Sequence, residues 1–442
     1  MSEPSLLDLA RRCAELARAH GAGEAAAGAY RARHVELSWR DGAVEKVTEA
    51  TTRGLGIDLY VDGRYASVST SDVREEALAR FVARAVALAR ALEPDPHRRL
   101  PDPELYRGQT EADLELEDPS LAGVTPEARR DAAAAAEAAA RAVPGADRIL
   151  SVTTSASDTQ GESALVHTNG FEGTRGGTDA WIGAEVTVRD PDGRRPEDYA
   201  ASGGRFLAAM EAPASVGRRA AERALARIGS VKGPSAVVTM VVDNRSAGRL
   251  VGALFGALSA ASLQQRRSFL EGRKGTAVGS ALLDVRDDPH VRRGLGSRRF
   301  DGEGLASRPF PVFEKGVLAN YYVDTYYGRK LGLAPTTART SNLQWTLGGQ
   351  PLDGLVAGAG EGVLVTGFLG GNSNATTGDF SLGVRGFAIR GGKRAEPVGE
   401  MNASGNLLEL WKRLAAVGND PYPYSSLATP SLVFEGVQIA GV

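Results

Sequence analysis

One cysteine, five histidines and no stretch approaching about 18 uninterrupted apolar residues set the first limits on this chain of 442 residues. Cys13 alone can form no intrachain disulfide and no multi-cysteine metal cluster, and its place on an apolar helical face reads as packing. A catalytic zinc takes three protein ligands and keeps one position open for water. His20, His34, His97, His167 and His290 include no pair at helical ligand spacing, so no self-contained zinc site is expected. The Ala-rich run near residue 132 is interrupted by Glu137 and Arg141, so no membrane span is expected either. A basic surplus is also missing. Net charge is -2 with both signs interspersed, which excludes the phosphate-neutralising surface of a direct nucleic-acid binder. The amino terminus carries Glu3 and lacks a continuous apolar core, unlike a secretory signal, so a cytoplasmic protein is expected.

What is present is an ordinary globular balance, 42% hydrophobic and 24% charged. The length exceeds the roughly 250–300 residues at which single cores stop growing, so several packed units are expected. Apolar spacing predicts a helix over 6–20, closed by Gly21. Short β-prone runs follow, with Asp62-Gly63 as a hairpin turn, and Asp72 with Glu75 suggests a capping box for a helix reaching about residue 92. Residues 93–124 contain Pro94, Pro96, Pro101, Pro103 and Pro119 among acids and read as a linker. Thr125-Pro126-Glu127 then opens an Ala-rich helix to about residue 143. Strand runs over 150–156, 163–168 and 181–188, a turn at Asn169-Gly170 and a helix over 214–228 loosely repeat the first unit. After Pro234 a buried strand at 236–242, a small-residue helix at 245–263, many short β-like runs and a late helix at 407–417 are predicted. The expected class is α+β: units at 1–92 and 125–230, joined by the linker at 93–124, then a strand-rich carboxyl-terminal domain at 231–442.

Candidate chemistry is sparse. Asp301 and Glu303 are the residue types of a general acid and base, but their Gly-rich setting reads more simply as a turn. Asp284, Asp287 and Asp288 lack the spacing of a calcium loop. The glycine-rich segment from Gly367 to Asp379 lacks the Gly-Lys-Ser/Thr ending and following helix of a phosphate cradle. Ser246 has no nucleophile-elbow context and reads as tight helix packing. Arg292, Arg293, Arg298 and Arg299 form either a carboxylate-binding cluster or a solvated loop. Tyr321, Tyr322, Tyr326 and Tyr327 read as part of an interface, with core packing as the competing account.

An ordered series of segments carries a resemblance. Phe300-Asp-Gly-Glu-Gly-Leu, Tyr326-Tyr-Gly-Arg-Lys-Leu-Gly-Leu, Thr377-Gly-Asp-Phe-Ser-Leu-Gly-Val-Arg-Gly-Phe, Pro397-Val-Gly-Glu, Gly405-Asn-Leu-Leu-Glu-Leu-Trp and Val417-Gly-Asn-Asp resemble the TldD/PmbA family. So does the ending, Pro430-Ser-Leu-Val-Phe-Glu-Gly-Val-Gln-Ile-Ala-Gly. In that family the TldD branch is a zinc peptidase with a His-Glu-x-x-x-His motif on the helix after the first carboxyl-half strand, completed by a later cysteine. Here the corresponding positions are Asn244, Arg245 and Arg249, so the chain resembles the TldE/PmbA branch. The resemblance implies no catalytic and no metal-binding residue on this chain, with zinc on a TldD-like partner in a heterodimer, or else a homodimer. It implies cleavage of unfolded or modified small peptides by the assembly. It also places Asn372, Ser373, Asn374, Thr376, Thr377 and Asp379 along a peptide cleft, where a solvated loop is the competing reading. The alternatives are a homodimeric peptide-binding module and an independent hydrolase with an unrecognised site.

Overall fold

The computed structural model describes residues 4–233 and 235–441. Glu3, used above to exclude a secretory signal, and Pro234, used to place the last boundary, lie outside the described residues.

The first half follows the order helix, three strands, helix, and then does so again. The first set is α1 (Leu6–Ala19), β1 (Glu24–Arg40), β2 (Ala43–Val61), β3 (Arg64–Thr70) and α2 (Glu75–Arg90). The second is α3 (Pro126–Arg141), β4 (Ile149–His167), β5 (Glu172–Val188), β6 (Glu197–Gly204) and α4 (Pro213–Leu225). The two sets do not fold as separate sheets. β1 and β4 pair antiparallel from Ala26↔His167 to Arg40↔Thr153, fusing them into one six-stranded sheet of order β3-β2-β1-β4-β5-β6. Each helix pair covers its own end: Ala10, Cys13 and Ala17 of α1 join Leu78 and Val82 of α2 in one core, and Ala136, Ala140, Val216 and Ala220 of α3 and α4 join a second.

Local signals explain most of the ends. The Thr125 side chain accepts from the Ala128 N–H at 3.2 Å, with Pro126 at the first helical position. Asp72, expected to cap α2, does not: it precedes the N-cap Arg74 by two residues, and its carboxylate accepts from the Arg74 N–H at 3.2 Å instead. The runs at 150–156 and 163–168 form one strand, β4, because partners on both sides, β1 and β5, hold its polar middle in the ladder.

Residues 93–124 are packed rather than a free tether. Their prolines set extended backbone and two 3₁₀ turns, Pro103–Tyr106 and Pro119–Gly123, while Leu100, Tyr106, Leu114 and Leu121 are buried. Tyr106 packs against Phe171 of the first sheet, which in turn meets Phe300 of the carboxyl-terminal domain. The strap therefore lies in the seam between the two.

The carboxyl-terminal domain contains β7 (Val231–Lys232), β8 (Ala236–Val242), α5 (Asn244–Gly256), α6 (Ala260–Gln264), β9 (Val285–Asp288), β10 (Phe310–Glu314), β11 (Val317–Leu318), α7 (Thr325–Leu331) and β12 (Asn342–Trp345). It continues with α8 (Leu352–Ala359), β13 (Gly362–Ser373), β14 (Asp379–Arg390), β15 (Lys393–Asn406), α9 (Leu407–Lys412), β16 (Leu414–Val417) and β17 (Leu432–Gly441). A seven-stranded sheet runs β16-β17-β8-β13-β14-β15-β7, and the β15–β17 pairing closes its middle five strands on themselves. A four-stranded sheet, β11-β10-β9-β12, stands apart from it. Two predicted helices are shorter than their periodicity. The one at 245–263 breaks after Gly256 and restarts where the Ser259 side chain caps α6, and the one at 407–417 stops at Lys412 because Leu414 to Val417 pair with β17.

Candidate functional site

β8 ends at Val242, and Asp243 caps the helix that follows, its Oδ1 accepting from the Ser246 N–H at 2.7 Å. The next three positions of interest diverge. Asn244 donates from Nδ2 to the Asp420 carbonyl at 2.7 Å, Arg249 is exposed, and Arg245 turns back under the first sheet. Its Nη1 donates to Asp198 Oδ1 at 2.7 Å and to the Tyr199 carbonyl at 2.8 Å, its Nη2 to the Thr366 carbonyl at 2.9 Å, and its guanidinium lies 4.7 Å from the Tyr199 ring centre. Arg245 and Asp198 side chains are 5% and 3% exposed, so this is a fully desolvated ion pair joining β6 to the carboxyl-terminal domain. Burial pushes the Asp198 carboxyl up, but the Arg245 hydrogen bonds and charge outweigh it and hold the carboxyl below its ordinary range.

More positive charge surrounds the pair. Arg385 Nη2 lies 3.8 Å from Asp198, Arg223 comes from the last turn of α4, and Arg227 follows its C-cap. Burial lowers Arg223, and Arg245 lowers it further; burial and Arg385 bring Arg227 down to about 10. These positions do not suit zinc. A divalent cation needs neutral imidazole, thiolate or carboxylate donors, whereas Asn244, Arg245 and Arg249 supply an amide already bonded to backbone and two cations. Among the described residues, no group of three or more His, Cys, Asp or Glu is placed to hold a metal ion.

The glycine-rich segment is a strand hairpin rather than a loop. Asn372 and Ser373 end β13, Asp379 begins β14, and Asn374, Thr376 and Thr377 form the turn, all exposed. Much of their polar capacity is used locally: Asn374 Oδ1 accepts from the Thr376 N–H at 2.9 Å, and Asp379 accepts from Thr377 Oγ1 at 2.7 Å and Asn406 Nδ2 at 3.0 Å. β13 pairs in parallel with β8 only as far as Val365↔Val242, so the hairpin tip stands roughly 20 Å along the strand beyond the Thr366 carbonyl that Arg245 meets. The two predicted features, one on α5 and one at the tip of the β13–β14 hairpin, lie at different places.

Other sequence candidates resolve into structural roles. Asp301 Oδ1 accepts from the Glu303 and Leu305 N–H groups at 2.9 and 3.1 Å, making the turn. Buried Asp287 accepts from Tyr322 at 2.7 Å inside the core. Tyr321 and Tyr322 are core residues at 5% and 3% exposure, not an interface. Arg292 and Arg293 pair with Glu115 on the strap, Arg298 donates to the Thr340 carbonyl at 3.0 Å, and Arg299 to the Ala112 carbonyl at 3.4 Å. The cluster therefore pins loops together.

A concavity of about 330 Å³ lies where the first sheet meets α7, and sequence reading missed it. Glu303 stands in its wall, accepting from the Thr325 N–H at 2.9 Å and Thr325 Oγ1 at 2.5 Å. Burial lifts its carboxyl to about 7 against those two bonds. Across the same space burial lowers His167 to about 4, and the Tyr106 hydroxyl sits 2.9 Å from its Nδ1. Tyr60, Tyr65, Asp58 and Arg98 are also in the polar lining, with the Tyr65 hydroxyl donating to Asp58 at 3.0 Å.

Three family models match the chain in order: PmbA/TldA metallopeptidase domain 1 at 25–89, the central domain at 119–228 and the C-terminal domain at 235–441. The chain is 31% identical to the metalloprotease PmbA of Escherichia coli O157:H7 over 92% of its own length and 90% of that protein. A solved structure described as a putative modulator of DNA gyrase from Bacteroides thetaiotaomicron VPI-5482 superposes with a TM-score of 0.95 at 37% identity, covering 98% of both chains. TldE from Thermococcus kodakarensis shares the fold, with a TM-score of 0.88 at 19% identity over 98% of this chain and 100% of that one. With three domain matches spanning most of its length and a relative above 30% identity across nine-tenths of it, the chain belongs to the PmbA/TldD family of metallopeptidases.

Proposed function

We propose that this chain is a TldE-like, non-catalytic subunit that pairs with a zinc-bearing TldD-like chain to cleave unfolded or modified small peptides in the cytoplasm. One observation carries the reading: Arg245, at the second position of the zinc motif, is a buried cation paired with Asp198, where a peptidase of this family would need a carboxylate. An arginine whose three hydrogen bonds tie two domains together is a structural part, not a vacancy in a metal site. Zinc, the activated water and the polarised scissile carbonyl would belong to the partner. This chain would supply walls of the enclosed space, including the exposed hairpin with Asn372, Ser373, Asn374, Thr376, Thr377 and Asp379, and the long sheet face.

The test has two parts. The tagged full-length chain is recovered from its native cell and its stoichiometric partners are identified by mass spectrometry; the pure chain is then assayed for bound zinc and for hydrolysis of an unfolded peptide. The expected result is a partner bearing His-Glu-x-x-x-His, no stoichiometric zinc on the isolated chain, and turnover only when both chains are mixed. Recovery of the chain with only itself would favour a homodimeric peptide-binding module. Chelator-sensitive hydrolysis by the pure chain would instead establish an independent hydrolase.

A further inference from the structure

A concavity of about 300 Å³ lies beside the Arg245–Asp198 pair, between α4 and the strands β13 and β14. Five arginines line it: Arg219, Arg223, Arg227, Arg245 and Arg394. The acids in the same wall are Asp198, Asp243 and Glu222. Two of the arginines are neutralised, Arg245 by Asp198 and Arg219 by Glu211, whose carboxylate it meets at 2.8 Å. Of the acids, Asp198 is spent on Arg245, buried Asp243 caps α5 and is pushed towards its neutral form by burial, and Glu222 is exposed.

Arg223, Arg227 and Arg394 are left with no carboxylate within salt-bridge distance among the described residues. Arg223 donates to the Tyr199 carbonyl at 3.1 Å, Arg227 to the Glu197 carbonyl, and the Arg394 guanidinium lies 3.5 Å from the Phe387 ring centre. Each guanidinium carries five N–H donors, so most of this capacity is unspent. Arg223 is repelled by Arg245 and Arg227 by Arg385, and a bound anion offsets that cost while using the free donors. The rest of the wall is apolar. Half-buried Leu352 and Ala226 give it apolar surface that an inorganic oxyanion would leave uncovered.

We propose that this concavity binds the free carboxyl terminus of a peptide, its carboxylate on Arg223 and Arg227 and an apolar terminal side chain over Leu352 and Ala226. Arg394, stacked on Phe387, borders both halves. The inference takes from the functional proposal only that the protein handles peptides; it needs no partner chain, so the two can fail separately.

The test is titration calorimetry of the full-length chain with acetyl-Ala-Leu as free acid, the same compound as its carboxamide, and inorganic phosphate. The free acid should bind, and the carboxamide should bind at least about tenfold more weakly, since only the carboxylate is changed. The double variant Arg223→Gln, Arg227→Gln should weaken the acid to the level of the carboxamide while leaving the carboxamide unchanged. Equal binding of acid and carboxamide, phosphate binding as tightly as the acid, or no heat with the acid at about 10 mM each overturns the proposal. The acid–carboxamide comparison uses the natural chain, so it stands even if the double variant does not fold. Loss of the partner in a pull-down with acid-selective binding intact would sink the subunit reading and keep this one.

Discussion

Replacing Arg245 by alanine should lower the free energy of unfolding by about 3–5 kcal/mol, the range measured when one member of a buried ion pair is removed. Asp198 would remain 3% exposed, with Arg385 at 3.8 Å as its nearest remaining cation, and the Tyr199 and Thr366 carbonyls would lose their shared donor. Asp198→Ala should cost a similar amount, because it leaves Arg245 buried beside Arg223 with its carboxylate gone. Arg249→Ala is the control: the residue is exposed on the next turn of α5, and its loss should stay within about 0.5 kcal/mol. Urea unfolding of the three variants and the natural chain, with midpoints and slopes compared, reads these differences. Removing both charges together, as Asp198→Leu with Arg245→Met, should recover much of the loss, since the desolvation cost leaves with the attraction. A loss below about 1 kcal/mol for Arg245→Ala would mean that water reaches the pair and that its position is not structural.

The donor set around Arg245 does not fit a metal ion. Changing Arg245 to glutamate would put a second carboxylate near Asp198, still without an imidazole, and Asn244 would remain bonded to the Asp420 carbonyl. Building a zinc site there would require at least Asn244 and Arg249 to become ligands as well, and Arg223 and Arg227 would still face it.

How much of this was legible in the chain depends on whether a signal is local. Asp62-Gly63, Asn169-Gly170 and the Thr125-Pro126 start carry their own backbone geometry, and each stands where the sequence places it, in hairpins and a helix cap. The residue types Asn244, Arg245 and Arg249 are read directly from the chain. What Arg245 pairs with was not legible there. Asp198 lies 47 residues from Arg245 on a strand, β6, whose eight residues include Gly203 and Gly204 and give little β signal. The late helix was overextended for a related reason: helical spacing continues through Leu414 and Val417, and only pairing with β17, distant in sequence, turns those residues into strand. The fusion of the two amino-terminal units was hidden too, since β1 and β4 each show an ordinary strand pattern and nothing in either names the other. Glu303 was read as part of a turn, which its N–H bond to Asp301 supports, but its side chain enters a cavity built by the other end of the chain.

That cavity sets the second large effect, a stability that changes with pH in opposite senses for two residues. Glu303 has its carboxyl raised to about 7 from an ordinary 4.5, so between those values the folded chain holds a proton that the unfolded chain has released. Its contribution to stability therefore falls as pH rises through this window, by about 3 kcal/mol in all. His167 is lowered to about 4 from 6.5, so between those values the unfolded chain holds the extra proton, and its contribution rises with pH by about the same amount. The windows overlap from 4.5 to 6.5, where the two slopes offset each other. Glu303→Gln should remove one of them. Its amide oxygen can take the Thr325 N–H and its amide nitrogen can donate to Thr325 Oγ1, so both existing contacts have a replacement. Relative to the natural chain, the variant should be within about 1 kcal/mol at pH 4.5 and more stable by about 3 kcal/mol at pH 7.5, where the natural carboxyl is forced to ionise inside the wall. Urea midpoints at half-unit pH steps from 4.5 to 7.5 give the difference curve directly. A flat difference would show that Glu303 titrates normally and that the cavity is wet. His167→Phe should give the opposite difference curve: the natural histidine is destabilising when it must shed a proton to fold, so the variant gains on the natural chain as pH falls from 6.5 towards 4.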